Sequence, residues 1–254
     1  MYQGKSMKGF TLVELSLVIV IVALIIAGVV AGQNLIRVAR LQSVITKSEQ
    51  FKTAINAFKL EYNTLPGDMP RAFDYWGSVT CTNDMDEDIG CNGDGDKKIE
   101  WYNGSNREGL LIWVHLALAK LIPGSYANSD PATNQGIAGV NVPGGSLVDS
   151  QWWASSTSDT LGVPVYPTTL RSLSMVGIGG YYSNNAGFGS LFTPKEAVSI
   201  DKKLDDGLPE TGVVFSGGGC TGGGWTCSSS CTSGNSYQLD VNTKECYMGF
   251  LLPY

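Results

Sequence analysis

Residues 10–32 read FTLVELSLVIVIVALIIAGVVAG and decide the fold of this 254-residue chain. The only polar side chains in this stretch are those of Thr11, Glu14 and Ser16. About twenty consecutive apolar residues are enough to cross the hydrocarbon core of a bilayer as a helix. The sequence therefore predicts a membrane-spanning helix over residues 10–33.

The helix is predicted to continue past the membrane as an amphipathic segment over residues 34–63. Apolar residues recur there at intervals of mostly three and four, which is the stripe of an amphipathic helix. These residues are Leu41, Val44, Ile45, Phe51, Ile55, Phe58 and Tyr62. Pro66 disfavours helix at the residue before it and Gly67 suits a turn, so the helix is predicted to end near Tyr62. At 1.5 Å per residue, a helix from Phe10 to Tyr62 is on the order of 80 Å long.

The residues before the span are few and basic. Lys5 and Lys8 are the only charged side chains among the first nine residues. Because lysine favours the cytoplasmic side, we expect the N-terminus inside and the bulk of the chain outside. An ordinary secretory signal would be cleaved after its apolar region. The weak candidate sites over residues 27–32 run directly into more helix, so the span is expected to be retained.

The segment from Lys8 to Leu15, KGFTLVEL, resembles the prepilin processing motif of type IV pilins and type II secretion pseudopilins. The resemblance covers residues 8 to about 62 and is much weaker afterwards. It implies that residues 1–9 are a leader peptide, which prepilin peptidase removes after Gly9 on the cytoplasmic side. It also implies that the same enzyme N-methylates the new terminal residue, Phe10.

Glu14 is the one charged residue within the predicted span. An unpaired carboxylate in hydrocarbon costs about 2.5 kcal/mol or more, which marks it as a functional candidate. The resemblance implies that Glu14 meets the N-terminal amine of a neighbouring subunit and sets the register of a filament. The alternative is that its side chain reaches the cytoplasmic headgroups from near the helix end.

Residues 64–254 are predicted to form a globular domain outside the cytoplasm. Their Gly-, Asn-, Ser- and Thr-rich composition is typical of a domain with loops and strands. Helices are predicted over residues 106–121, after a capping box from Ser105 to Glu108, and over residues 193–204, with Thr193 as the cap. Strands are predicted over residues 174–183, 212–216, 236–241 and 247–252. The fold class is therefore α+β, with the long helix packed on an antiparallel sheet as in pilins.

The six cysteines all lie downstream of the span, and their even number favours disulfides in an oxidising compartment. Cys81 and Cys91 enclose a short acidic loop and are expected to form a bridge. The later four allow three connectivities, and they are Cys220, Cys227, Cys231 and Cys246. A zinc site is the weaker alternative, because no Cys-x2-Cys pairs occur and the single histidine, His115, is remote in sequence.

An acidic loop follows Cys91 and contains oxygen ligands at alternate positions. We expect calcium there, coordinated by side chains and one main-chain carbonyl. The predicted ligands are the side chains of Asn92, Asp94, Asp96 and Glu100 and the carbonyl of Lys98. The spacing resembles the start of an EF-hand loop, but Lys97 occupies the glycine position and Asn103 the position of the bidentate glutamate. Three further residues could complete the site, namely Asp84, Asp86 and Asp88; the alternative is a solvated acidic turn.

A second acidic group, Asp201 with Asp205 and Asp206, is interpreted as a helix-end turn. His115 lies within the predicted helix over residues 106–121, and we expect it to be a core or boundary residue. With one histidine and no nucleophile or phosphate-binding motif, the sequence contains no catalytic constellation. Without its leader, the chain has 15 basic and 23 acidic residues, so direct nucleic-acid binding is not expected.

Three functions remain open. The first is a structural subunit, a major or minor pilin, of a type IV pilus-like filament serving adhesion, motility or DNA uptake. The second is a type II secretion pseudopilin, which shares the N-terminal helix. The third is a membrane-tethered surface binding protein that uses exposed aromatics such as Trp152, Trp153 and Trp225. The resemblance implies prepilin peptidase, other pilin subunits, the inner membrane and the pilus assembly machinery as partners.

Overall fold

The computed structural model describes residues 9–77, 91–100, 107–127, 136–156, 173–182, 185–221 and 226–252. The chain divides into two compact units, one ending at Leu41 and the other beginning at Gln42. The first helix, α1, spans Leu12–Tyr62 and contributes residues to both units. Its 51 residues correspond to a length on the order of 80 Å.

In the first unit, the large apolar side chains of α1 that precede Leu41 are exposed. No part of the most apolar 18-residue window of α1 is buried, and side chains such as Leu24 and Ile36 face outward. Among the described residues, α1 is the one helix long and apolar enough to cross a membrane. A helix that is apolar on all sides requires lipid or protein around it, and the predicted span is consistent with this requirement.

In the second unit, the later part of α1 carries the predicted apolar stripe into a core. Val44, Ile45, Phe51, Ile55 and Phe58 are buried. The ring centroid of Phe51 lies 4.9 Å from that of Trp113 and 5.0 Å from that of Trp152, both in edge-on contact. The helix ends at Tyr62, as predicted.

Three shorter helices and seven strands complete the described fold. The helices are α2 at Ala72–Trp76, α3 at Glu108–Leu118 and α4 at Pro194–Leu204. The strands are β1 at Ser150–Ser156, β2 at Ser174–Tyr182, β3 at Asn185–Gly189, β4 at Val214–Gly218, β5 at Cys220–Thr221, β6 at Thr226–Cys227 and β7 at Cys246–Leu251. The main sheet has the order β1-β2-β7-β4, with β3 also paired to β2, and every pairing is antiparallel. The α+β class is confirmed.

Strand β1 was not predicted from the sequence, and it places two tryptophans on opposite faces of the sheet. Trp152 contacts Phe51 of α1, whereas the Trp153 ring centroid lies 4.5 Å from that of Phe188. Both tryptophans are buried. Gly177 of β2 pairs with Trp153 of β1, and a Cβ at this glycine would lie 2.1 Å from the indole ring. Every residue of β1 is buried, so the strand lacks the alternating pattern that would have revealed it.

The other predicted elements differ in their outcome. The strands over residues 174–183, 212–216 and 247–252 correspond to β2, β4 and β7. The strand predicted over residues 236–241 is wrong, because this segment makes only an isolated bridge between Thr232 and Tyr237. Helix α4 has the predicted cap at Thr193, whose Oγ1 accepts from the Glu196 amide, and the structure shows that Glu196 completes a capping box. Helix α3 begins at Glu108, and Ser105 lies outside the described residues.

The described cysteines are all disulfide-bonded. Cys220 bonds Cys227 across β5 and β6, and Cys231 bonds Cys246 at the start of β7. These pairs select one of the three connectivities that the sequence left open, and they exclude zinc coordination by the four late cysteines. Cys91 is also disulfide-bonded, and its predicted partner, Cys81, lies outside the described residues.

Candidate functional site

The start of α1 carries the predicted processing and assembly residues. Phe10 is 91% exposed, and nothing lies within 4 Å of where a Cβ at Gly9 would be. Thr11 and Glu14 form a capping box, in which the Glu14 carboxylate accepts from the Thr11 amide at 2.8 Å and Thr11 Oγ1 accepts from the Glu14 amide at 3.2 Å. The structure thus gives Glu14 a local capping contact that sequence reasoning missed. Lys5 and Lys8 lie outside the described residues.

A second candidate site is a cluster of four carboxyl groups in the second unit. Asp68 follows the end of α1, Asp94 and Asp96 lie in the acidic loop of residues 91–100, and Glu108 opens α3. Each residue offers one oxygen, and these oxygens all lie within 4.8 Å of one another. Asp68 and Glu108 are buried, whereas Asp94 and Asp96 are exposed. This oxygen-rich arrangement could hold a hard cation.

The two buried carboxylates hold the acidic loop through its backbone. Asp68 accepts from the amide of Gly95 at 2.6 Å and from that of Lys97 at 2.9 Å. Glu108 accepts from the amide of Asp94 at 3.0 Å and from that of Glu100 at 3.1 Å. The loop is therefore held by two carboxylates, one just after the end of α1 and the other at the start of α3.

The backbone of this loop takes a left-handed conformation at one residue that is not glycine. Lys97 adopts a φ of 70°, the left-handed conformation that glycine supplies in an EF-hand loop. The hydrogen bond from its backbone amide to the Asp68 carboxylate stabilises that conformation. The exposed carboxylates also accept hydrogen bonds from backbone amides within the loop. Asp94 accepts from the amide of Asp96 at 3.1 Å, and Asp96 accepts from the amide of Lys98 at 2.8 Å.

Burial favours the protonated form of the two buried carboxyl groups of the cluster. Burial raises the pKa of Glu108 to about 8, and the bonds from two backbone amides only partly oppose this effect. Burial likewise raises the pKa of Asp68 to about 6. Lys98 Nζ lies 2.8 Å from Asp96 Oδ2 and supplies one resident positive charge.

The structure brings together only part of the predicted ligand set. Asp94 and Asp96 are in the cluster, whereas the Asn92 amide oxygen accepts from the backbone of Phe73 at 3.0 Å. Asp68 and Glu108 were missed, since Asp68 was treated as part of a turn and Glu108 as part of a capping box. Glu100 and the Lys98 carbonyl remain predicted ligands. The acidic residues Asp84, Asp86 and Asp88 lie outside the described residues.

The second acidic group shows the local bonding of a helix-end turn. Asp201 is buried and accepts from Tyr237 Oη at 2.7 Å and from the Gly207 amide at 3.1 Å. Asp205 accepts from the Val214 amide at 3.0 Å. These carboxylates close the end of α4, as interpreted from the sequence.

His115 is a core residue, as expected. It is fully buried, and its Nδ1 accepts from the Gly67 amide at 2.8 Å. Its Nε2 therefore carries the proton and donates to the carbonyl of Cys91 at 2.8 Å. Burial lowers the pKa of His115 to about 4, so the ring is neutral near pH 7. This histidine links the turn after α1 to the acidic loop.

Comparison with known proteins identifies one matching family model. Residues 4–30 match the prokaryotic N-terminal methylation motif, which is the prepilin-like signal of type IV pilins. No curated protein and no solved structure matches the chain. The match includes Gly9, Phe10 and Glu14, and it ends within the apolar part of α1.

Proposed function

From a chain that carries the N-terminal methylation motif ahead of an exposed apolar helix, we infer a structural filament subunit of the type IV pilin class. The motif supports a pilin-like or pseudopilin precursor, and the geometry of α1 is the observation that carries the proposal. The apolar part of α1 first lies in the inner membrane. It is then covered by the same segment of neighbouring subunits, which replace lipid without exposing apolar surface to water.

Processing takes place at the bond between Gly9 and Phe10. Prepilin peptidase removes residues 1–9 and methylates the new terminal amine, and the exposed Gly9 leaves access for the enzyme. Intact mass of the membrane-extracted protein is expected to correspond to a chain that begins at Phe10 with one added methyl group. Gly9→Val is expected to leave the full-length precursor. A mature chain that begins after residue 32 would contradict the proposal.

Glu14 pairs with the methylated amine of a neighbouring subunit and so sets the axial register. Dispersion among aliphatic side chains is non-directional, so a charged pair is needed to select one register. Glu14→Gln tests this role separately from capping, because glutamine also serves in a capping box. The variant is expected to reach the membrane at the normal level but to enter filaments poorly. Normal incorporation in the absence of wild-type subunits would refute charge pairing.

The filament is proposed to extend from the cell surface and to serve adhesion, motility or DNA uptake. Electron microscopy of filaments labelled for this chain tests the assignment directly. Labelling along surface filaments supports a pilin, whereas labelling that depends on a type II secretion system supports the pseudopilin alternative. In both cases the chain acts as a structural subunit and not as an enzyme.

The acidic cluster is proposed to bind calcium. Asp68 and Glu108 are buried beside two further carboxyl groups, and burial disfavours the charged form of both buried groups. A divalent cation would replace their protons and draw on oxygens of Asp68, Asp94, Asp96 and Glu108. Calcium suits this loop better than magnesium, because magnesium demands a tighter octahedral shell.

A further inference from the structure

A cleft of about 540 Å3 lies where the end of α1, α2 and the acidic loop meet. Its volume falls within the range of small-molecule sites. The side chains that matter for recognition are Tyr62, Asn63, Arg71, Asp74, Tyr75 and Lys97. Neither filament assembly nor the proposed calcium site accounts for this combination of aromatic and polar groups.

Two tyrosines form an aromatic corner in this cleft. The rings of Tyr62 and Tyr75 stand at 82° to each other with centroids 5.4 Å apart. The neighbouring Trp76 anchors α2, since its ring centroid lies 5.5 Å from that of the buried His115. Tyr75 itself remains 61% exposed. A rigidly placed aromatic ring is thus presented to solvent beside a second ring.

The polar rim offers both donors and acceptors. Arg71 Nε donates to Asp74 Oδ2 at 2.7 Å, and both side chains are more than half exposed. The two Nη groups of Arg71 have no bond to any described residue, and the Asn63 amide lies on the same rim. The ion pair cancels the charges of its members, and the cleft is also lined by Lys97 and Asp68, whose charges are opposite.

These features discriminate among ligand classes. An anion near Arg71 would be repelled by the Asp74 carboxylate, and a cation near Asp74 would be repelled by the Arg71 guanidinium. The rings of Tyr62, Tyr75 and Trp76 pack on one another at 5.4 to 5.9 Å, which leaves no cage for an ammonium group. A pyranose ring has an apolar C–H face that stacks on an aromatic ring and hydroxyl groups that need mixed donors and acceptors. We propose that this cleft binds a hexose unit of a neutral glycan.

Saturation-transfer NMR on the full-length chain tests the proposal. The protein is held in amine-oxide detergent micelles, which contain no sugar headgroup. The probes are glucose, galactose, mannose and N-acetylglucosamine, with acetate and tetramethylammonium as charged probes. We expect transfer to the ring protons of at least one sugar with a Kd near the millimolar range, and none to either charged probe.

Variants locate the binding to the cleft. Tyr75→Ala is expected to weaken sugar binding at least tenfold, whereas Tyr75→Phe keeps the stacking ring and most of the affinity. Tyr181→Ala is the matched control, because Tyr181 is also exposed but lies on β2 outside the cleft. If Tyr75→Ala does not fold, Arg71→Ala serves instead, since its side chain is 80% exposed.

Three results would overturn the proposal. They are no transfer to any of the four sugars, transfer only to a charged probe, and sugar transfer that persists unchanged in the folded Tyr75→Ala or Arg71→Ala protein. None of these results depends on whether the chain forms filaments. The test of glycan binding is therefore independent of the test of filament assembly.

Discussion

Removing the two exposed carboxylates of the acidic loop is expected to abolish stabilisation by calcium while leaving the calcium-free fold intact. The variant combines Asp94→Ala with Asp96→Ala. Asp68 and Glu108 remain and continue to hold the loop through their four backbone bonds. The variant loses exposed bonds of Asp94 and Asp96 worth about 1 kcal/mol each, but it also loses the repulsion between carboxylates. We therefore expect the calcium-free stability to change by no more than about 1 kcal/mol.

The size of the calcium effect follows from mass action. A cation that binds only the folded state stabilises it by RT ln(1 + [L]/Kd), which is about 2.7 kcal/mol at a hundredfold excess over Kd. For a domain of roughly 150 to 250 residues, each kcal/mol shifts Tm by about 2–4 °C. Wild-type protein is therefore expected to melt about 5–10 °C higher in calcium than in chelator.

Thermal melting of the full-length chain in micelles, with calcium, magnesium or EDTA, provides the measurement. The matched control combines Glu210→Ala with Asp240→Ala, which removes two exposed carboxylates far from the loop in sequence. It is expected to keep the full calcium shift. Equal wild-type melting temperatures in calcium and EDTA would show that the loop is only an acidic turn. A full shift in the double variant would mean that calcium binds elsewhere.

Two further predictions concern the core and the end of α4. Phe51→Ala is expected to lower the free energy of unfolding by about 3–5 kcal/mol, because it removes a ring that contacts Trp113 and Trp152 edge-on. The control is Leu60→Ala, at an 89% exposed position of the same helix, which is expected to change the free energy of unfolding by at most about 0.5 kcal/mol. Chemical denaturation measures both values. Burial raises the pKa of Asp201 to about 6 in the folded protein, so its protonated form stabilises the fold at low pH, and this contribution is lost as pH rises from about 4 to 6. Relative to wild type, the free energy of unfolding of Asp201→Asn is therefore expected to rise by up to about 3 kcal/mol over that interval in EDTA. If the difference in free energy of unfolding between the two proteins is the same at pH 4 and at pH 7, this titration is ruled out.

The sequence predicted best those features that are set by local rules. The stripe that includes Phe51 and Phe58 has helical spacing, and the cap at Thr193 is followed by Pro194 and Glu196, so both helices were found. Strand β1 escaped because the sheet buries both of its faces, so Trp152 and Trp153 do not alternate with polar residues. The pairing of the late cysteines depends on which strands become neighbours, which spacing alone does not determine.

The two acidic groups show why one is a candidate ligand site and the other a structural turn. The carboxylate of Asp201 is matched by the Tyr237 hydroxyl and the Gly207 amide, and its neighbours bond the backbone that follows α4. In the other group, two carboxylates are buried next to two more, although each burial carries a desolvation cost. Spacing along residues 92–100 identified half of this cluster, because the other half comes from the end of α1 and the start of α3. Local sequence rules fail where a protein accepts such a cost, and these places are where functional chemistry is expected.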